Sequence, residues 1–188
     1  MRKRRRHTIF LSLIKCLKVA IVFLCLLCTS PQSEAQTTPS REYQVKAVFL
    51  YNFTQFVEWP PATLSGNAPF IIGILGHDPF GSYIDETVAG ETILGHPIQV
   101  QRYEDVKDIK NCHILFISQE QQTKEAISAL NNHSTLTVSD IDNFANKGGM
   151  IRFFTQNNKI RLQINPSAAK AVKLNISSKL LRVAEIVE

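Results

Sequence analysis

Cysteine is scarce in this sequence once its first 35 residues are set apart. Three of the four cysteines, Cys16, Cys25 and Cys28, lie in that leading segment, and only Cys112 follows it. A single cysteine cannot form a disulfide within the chain, so the folded part must depend on its hydrophobic core. The pattern around Cys112 favours a small buried hydrophobic residue, with an intermolecular disulfide or a reactive thiol as the alternative.

An excess of positive charge is also missing after residue 35. The whole chain has 21 Lys and Arg against 16 Asp and Glu, a net charge of +5. Seven of the basic and one of the acidic side chains lie in residues 1–35, which leaves 14 against 15 and a net charge of −1. No basic patch remains, so we expect no nucleic-acid partner.

The spacings that mark common catalytic and metal sites are absent after residue 35. That part of the chain has no CxxC, no histidine pair at metal-ligand spacing, no G-x-S-x-G and no complete phosphate-binding glycine motif. We therefore expect no metal, no cofactor and no enzymatic activity.

The first 35 residues carry the pattern of a secretory signal peptide. Basic residues at 2–6 precede an apolar run at 19–28, and Ser33-Glu34-Ala35 has small residues at the cleavage-site positions. The apolar run is shorter than the about 20 residues that span a bilayer. An uncleaved membrane anchor is the alternative. A lipoprotein signal is disfavoured because Leu24 and Leu27, and not small residues, precede the cysteines.

The remaining chain is predicted to form a short linker at 36–41 and a single domain at 42–188. Apolar runs and turn signals alternate along it, with strands expected at 70–75, 98–102, 114–117 and 136–138. Alternating strands and helices favour an α/β fold. We predict a three-layer sandwich with a mainly parallel central sheet and an antiparallel hairpin, turning at Asn157-Asn158, at one edge.

Helical spacing and capping residues predict the helices. A helix at 40–56 is expected to bury one stripe, made of Val45, Val48, Phe49, Phe53 and Phe56. Candidate caps are Asp78 before Pro79, Ser118 with Gln121, Ser139 with Asp142, and Ser177. The cap at Ser139 opens a short helix that ends at Gly148-Gly149, and the cap at Ser177 opens a last helix that includes Leu180, Leu181, Ala184 and Val187.

The ends of the predicted strands carry the candidate ligand-binding residues. Ligands in open α/β sheets lie beyond the carboxyl ends of the strands. A small-molecule pocket is therefore predicted at Gly76, His77, Asp78, Ser118 and Asp140. A role limited to helix capping is the alternative, and a hydrolase at the same strand ends is a third and weaker one.

Aromatic and apolar residues provide the candidate partner contacts. The 43–59 stretch is aromatic nearly all round, which requires either wide burial or a partner. The last predicted helix raises the same question. The candidate contact residues are Tyr51, Trp59, Leu180, Leu181 and Ala184.

Several segments in order resemble the YfiR-like family, over about residues 42–187. They are the stretches 43–53, 56–60, 72–81, 112–118, 136–140, 148–151, 164–165 and 178–184. The resemblance implies a compact α/β sandwich and a bacterial periplasmic regulator, exported through its signal peptide.

The best-known members of that family bind the periplasmic sensor part of a membrane-bound diguanylate cyclase and hold it inactive. The resemblance thus implies an effect on cyclic-di-GMP signalling and biofilm formation, sequestration by an outer-membrane lipoprotein, and a homodimer. Only Cys112 matches a family cysteine, so redox sensing through an internal disulfide is not expected here. A periplasmic small-ligand sensor is the second functional hypothesis.

Overall fold

The computed structural model describes residues 40–187; the predicted signal peptide lies outside the described residues. The strands are β1 (Val57–Glu58), β2 (Phe70–Leu75), β3 (Thr92–Ile93), β4 (His96–Tyr103), β5 (Ile114–Ile117), β6 (Leu136–Ser139), β7 (Ile151–Gln156), β8 (Lys159–Ile164), β9 (Asn175–Ile176) and β10 (Glu185–Ile186). The helices are α1 (Arg41–Phe56), α2 (Ser82–Val88), α3 (Glu120–Leu130), α4 (Pro166–Ala171) and α5 (Ser178–Leu181). Short 3₁₀ turns lie at Pro61–Thr63, Val106–Asp108 and Ala145–Lys147.

Eight strands form the central sheet, in the order β10-β8-β7-β6-β5-β2-β4-β3. The five from β7 to β4 run parallel, with Ile72 of β2 opposite Ile114 on one side and Val100 on the other. β7 and β8 pair antiparallel, as do β3 and β4. The mainly parallel α/β sheet predicted from the sequence is confirmed.

Helices cover both faces of the parallel strands because the side chains of β2 and β5 are buried on both sides. Successive residues of a strand point to opposite faces. Ile72 and Ile74 join a core cluster with α1 and α2, whereas Leu75 joins a second cluster with α3. The sheet is therefore the middle layer of three.

The predicted hairpin and its turn are present. Asn157 and Asn158 have φ angles of +52° and +57°, the left-handed conformation that a two-residue turn of type I′ requires. The hairpin is not the outermost part of the sheet, however. β10 adds to β8 in parallel, with Ile186 opposite Ile164.

The last predicted helix is wrong beyond its first turn. The helix α5 ends at Leu181, and the chain then turns into β10. The Val187 N–H donates to the Ile164 carbonyl at 2.9 Å, so the free edge of β8 supplies the backbone partners that a longer helix would have supplied.

Three of the predicted helix caps are also wrong. Gly81 and Gln119 are the N-cap residues of α2 and α3, and neither forms a side-chain cap. After Ser139 there is no regular α-helix before the 3₁₀ turn at Ala145–Lys147. The Asp78, Ser118 and Ser139 side chains bond other backbone groups instead. A short polar side chain can bond either a helix N-terminus or another backbone group nearby, and these three side chains bond the other backbone groups.

The buried face of α1 differs from the predicted stripe. Lys46, Ala47, Leu50, Phe53 and Thr54 are buried, whereas Val45 and Val48 are 40% and 38% exposed. After α1, β1 pairs antiparallel with β9 in a separate two-stranded sheet. Within residues 40–187, no helix has the length and apolar character needed to cross a membrane.

Candidate functional site

Asp140, a predicted ligand residue at the end of β6, anchors α1. Its Oδ2 accepts hydrogen bonds from Lys46 Nζ at 2.6 Å and from the Tyr43 hydroxyl at 2.9 Å. The Lys46 ammonium also contacts Glu42 at 2.7 Å and lies 4.3 Å from the centre of the Tyr43 ring. Burial, and then the bond to Asp140, raise the pKa of Tyr43, which keeps its hydroxyl a donor. The Asp140 carboxylate is therefore already bonded to two side chains of α1.

Asp78, on the loop after β2, is held by an arginine from β4. Its Oδ1 accepts the Phe80 N–H at 2.7 Å, and its Oδ2 accepts Arg102 Nε at 2.7 Å. Arg102 also donates to Asp85 at 2.6 Å and to the Gly81 carbonyl at 2.9 Å. The bond to Asp85 is the main cause that raises the pKa of Arg102. One guanidinium thus joins the loop, α2 and β4.

Gly76 and Ser118 are the two predicted pocket residues that lie against each other. Gly76 has a φ of +87°, and a Cβ there would lie 2.9 Å from Ser118 Oγ. The Ser118 hydroxyl donates to the Leu75 carbonyl at 3.0 Å. His77 is exposed beside them. Ligand binding at these residues stays a prediction, with Asp78 and Asp140 each engaged by a different cation.

The five predicted partner residues occupy different environments. Leu180 is only 6% exposed and lies in the core, whereas Leu181 and Ala184 are partly buried. The Tyr51 hydroxyl donates to Glu91 at 2.7 Å on the surface, and this bond raises the pKa of Tyr51. Trp59 packs edge-on against Phe70, with 5.0 Å between ring centres, and donates to the His113 carbonyl at 3.2 Å. Their part in partner binding stays a prediction.

Exposed apolar side chains on α1 were missed by the sequence reasoning. Val45 and Phe49 line a groove of about 630 Å³ between α1 and the β7–β8 hairpin, where Ile160 and Lys159 form the opposite wall. Val48, on the same helix, is 38% exposed. We call this feature the α1–hairpin groove. Helical periodicity could not reveal it, because it places these valines in the core.

A second exposed apolar segment lies at the end of the described chain. Val183 is 64% exposed and Ile186 is 47% exposed. Both follow α5, where the sequence predicted a continuing helix; Val183 precedes β10 and Ile186 lies in it. The β-branched residues at 183, 186 and 187 were the one local signal for a strand.

Cys112 and His113 lie at the opposite, amino-terminal edge of the sheet. The Cys112 thiol donates to the Ile114 carbonyl at 3.0 Å, and burial raises its pKa to about 12. It is thus held as a neutral thiol on a partly buried side chain. His113 accepts the Ile71 N–H at Nδ1, which leaves the Nε2 hydrogen for the Thr63 carbonyl. Burial lowers the pKa of His113.

Across residues 40–187, no three His, Cys, Asp or Glu side chains stand close enough together to hold a metal ion. The described carboxylates at the strand ends are in ion pairs with Lys46 and Arg102. In the described residues, the candidate site therefore consists of exposed apolar surface and of ion pairs that are already formed.

The domain is similar to a known protein family and to solved structures. A sequence model of the YfiR/HmsC-like family matches residues 43–185. No curated protein sequence matches the chain. A solved structure of a conserved domain protein from Vibrio cholerae is similar at 11% identity with a TM-score of 0.49. That likeness covers 78% of this chain and 60% of the Vibrio chain.

Proposed function

The chain belongs to the YfiR/HmsC-like family, whose members are non-catalytic periplasmic regulators, and on this premise we propose that it represses a membrane-bound diguanylate cyclase or a similar sensor by direct contact. The regulator binds the periplasmic domain of that sensor. Repression lowers cyclic-di-GMP and biofilm formation.

The observation that carries this proposal is the α1–hairpin groove. Its apolar residues Val45 and Phe49 lie on a helix that Lys46 ties rigidly to Asp140. A fixed helix that exposes valines beside a groove suits the insertion of an apolar side chain from a partner protein. The groove also has Arg41 and Lys159 on its lining, and its one carboxylate, Glu42, is paired with Lys46. The unpaired positive charge favours a partner with acidic residues around that side chain.

The mechanism is a shift between two states of the sensor. A regulator can silence the sensor only by binding its inactive state more tightly than its active state. Moving the sensor from 99% active to 99% inactive requires a preference of about 10⁴-fold. An outer-membrane lipoprotein that competes for the same groove would relieve the repression, and a homodimer would present the groove twice.

The proposed function is tested by deleting the gene and by restoring it with one charged substitution in the α1–hairpin groove. Deleting the gene in its own organism should raise cyclic-di-GMP and biofilm. Restoring it as the Val45→Asp variant should leave both raised, and the membrane sensor should no longer co-purify.

Leu94→Asp is the matched control. Leu94 is 86% exposed in the turn between β3 and β4, at the other edge of the sheet. This variant should repress normally. Unchanged cyclic-di-GMP after deletion, with no membrane sensor recovered alongside the protein, would exclude the proposed function.

A further inference from the structure

A separate cleft of about 500 Å³ opens at the amino-terminal edge of the sheet. Residues of the 62–69 segment form one wall. Residues 109–113 and 133–135, which lead into β5 and β6, form the other. Parallel strands have their carboxyl ends at the opposite edge, so this cleft is distinct from the predicted pocket around Ser118 and Asp140. Its volume is in the range of small-molecule sites.

The base of the cleft is apolar. Ile71 is 4% exposed and Leu130 is 7% exposed, and both line the cleft beside Pro69. A ligand with an aliphatic or aromatic body would remove this apolar surface from water.

The charge of the cleft has one sign. None of its sixteen lining residues is Asp or Glu, and Lys110 supplies the one permanent charge. The imidazoles of His113 and His133 add no negative charge in either protonation state. A cleft lined by one sign of charge attracts the opposite sign, so the ligand should be an anion.

Hydrogen bonds fix the wall before any ligand arrives. The Thr135 hydroxyl donates to the Cys112 carbonyl at 2.6 Å, and the Ser134 hydroxyl donates to the Val172 carbonyl at 2.8 Å. His113 uses both ring nitrogens, on Ile71 and Thr63. These groups shape the cleft and have their hydrogens committed.

Three side chains of the cleft keep hydrogen-bond donors uncommitted. In the described part of the chain, the Lys110 and Asn111 side chains form no hydrogen bond or ion pair. Gln101 accepts the Tyr103 hydroxyl at its oxygen, which leaves its amide hydrogens available. Three donors with one cation match the oxygens of a carboxylate.

We propose that this cleft binds a small organic carboxylate, with the carboxylate at Lys110 and Asn111 and the apolar body over Ile71 and Leu130. Trp59 donates to the carbonyl of His113, which is part of the cleft wall. One hydrogen bond therefore links the cleft wall to the segment that follows α1.

Benzoate is the probe, with benzamide as its neutral isostere. In protein produced from the full chain, titration with benzoate should shift the backbone amide NMR signals of residues 109–113 and 133–135, with a millimolar Kd. Benzamide should shift them at least about threefold more weakly, because it lacks the charge.

Two lysine substitutions test whether Lys110 supplies the positive charge that binds the carboxylate. Lys110→Gln should weaken benzoate about three- to tenfold and leave benzamide unchanged. Lys107→Gln, three positions earlier and outside the cleft, should leave both unchanged. Ala62→Trp, which fills the cleft from an exposed wall position, should abolish the shifts without altering the amide signals of β7 and β8.

Three results would overturn the proposal: no shift at the cleft with benzoate at millimolar concentration, equal affinity for benzoate and benzamide, or equal weakening by both lysine substitutions. The cleft does not depend on repression of a cyclase. Because the NMR titration needs no sensor, failure of ligand binding and failure of repression are separate outcomes.

Discussion

The sulfur of Cys112 lies 2.7 Å from the position that a β-carbon on Gly73 would occupy. The Tyr103 ring and the Leu115 side chain crowd the same point, at 2.8 and 2.9 Å. Glycine at the centre of β2 is therefore what lets the neutral thiol pack against the strand, in a protein core too dense to accept an added atom without a shift.

Gly73→Ser should destabilise the protein by about 1–3 kcal/mol, because it forces an extra group into this contact. Gly73→Cys should suffer the same clash when reduced. Under an oxidant it should form a disulfide with Cys112 and recover stability over the serine variant. Urea unfolding with and without reductant, together with a count of free thiols, measures both effects. A cysteine variant that keeps both thiols free under oxidant would contradict the geometry.

The buried imidazole of His113 should make stability depend on pH. Burial lowers its pKa in the folded protein, so between that value and the ordinary pKa of about 6.5 the unfolded chain binds more protons. The contribution of His113 to the free energy of unfolding is complete above about pH 6.5. It declines as the pH falls, by at most about 1.4 kcal/mol per pH unit. Urea unfolding at a series of pH values measures the slope.

His113→Gln should flatten that slope, because glutamine can accept from Ile71 and donate to Thr63 without titrating. His133→Gln removes an exposed histidine and serves as the control, which should retain the slope. An equal slope in all three proteins would assign the pH dependence to other groups.

Asp140→Ala should loosen α1. It leaves the Lys46 ammonium, 3% exposed, with Glu42 as its remaining carboxylate partner, and should cost about 2–3 kcal/mol, below the range for fully buried pairs because Asp140 is partly exposed. Hydrogen exchange of the α1 amides should accelerate. Lys46→Met combined with Asp140→Leu should recover most of the loss, since no buried charge is left unpaired and Glu42, which loses Lys46, is 48% exposed.

The exposed ion pair of Lys147 and Glu120 is the control for that experiment. Its side chains are 49% and 66% exposed, so Glu120→Ala should change stability little. Equal losses for Asp140→Ala and Glu120→Ala would mean that burial of Lys46 has no energetic consequence.

The effect of a substitution in the β7–β8 turn on stability should depend on whether the new residue tolerates a positive φ. Asn158→Val should cost about 1–2 kcal/mol, because a β-branched residue resists the positive φ found there. Asn158→Gly should be neutral or stabilising. Thermal unfolding of the two variants measures the difference, and equal melting temperatures would show that the turn relaxes to another conformation.

Local sequence signals predicted the elements whose causes are local. The apolar runs of β2 and β5 indicate strands that are buried on both faces, and the Asn157-Asn158 turn requires only its own two residues. The spacing of apolar residues alone could not predict the path after Leu181, because a four-residue helix and a longer one share the same spacing of leucines. The outcome depends on the vacant edge of β8, which lies far back along the chain.

The candidate surfaces also depend on contacts between parts of the chain that are far apart in sequence. Burial of Lys46 in place of Val45 depends on Asp140, and no helical period contains that contact. The cleft with Lys110 is built from three connecting segments that have no periodic pattern of their own. The predicted strand-end residues were placed correctly at one edge of the sheet, but their partners on α1 and β4 were not foreseen.

The sequence separation of 94 between Lys46 and Asp140 also determines the order in which these residues become available during synthesis. The α1 helix leaves the ribosome before any strand of the sheet, yet its ion-pair partner and much of its apolar contact surface arrive only with β6 and β7. A nascent chain must therefore keep Leu50 and Phe53 from aggregating until those strands emerge. Closure of so long a loop is slow compared with formation of the β7–β8 hairpin, so docking of the first helix is expected to be a late step of folding.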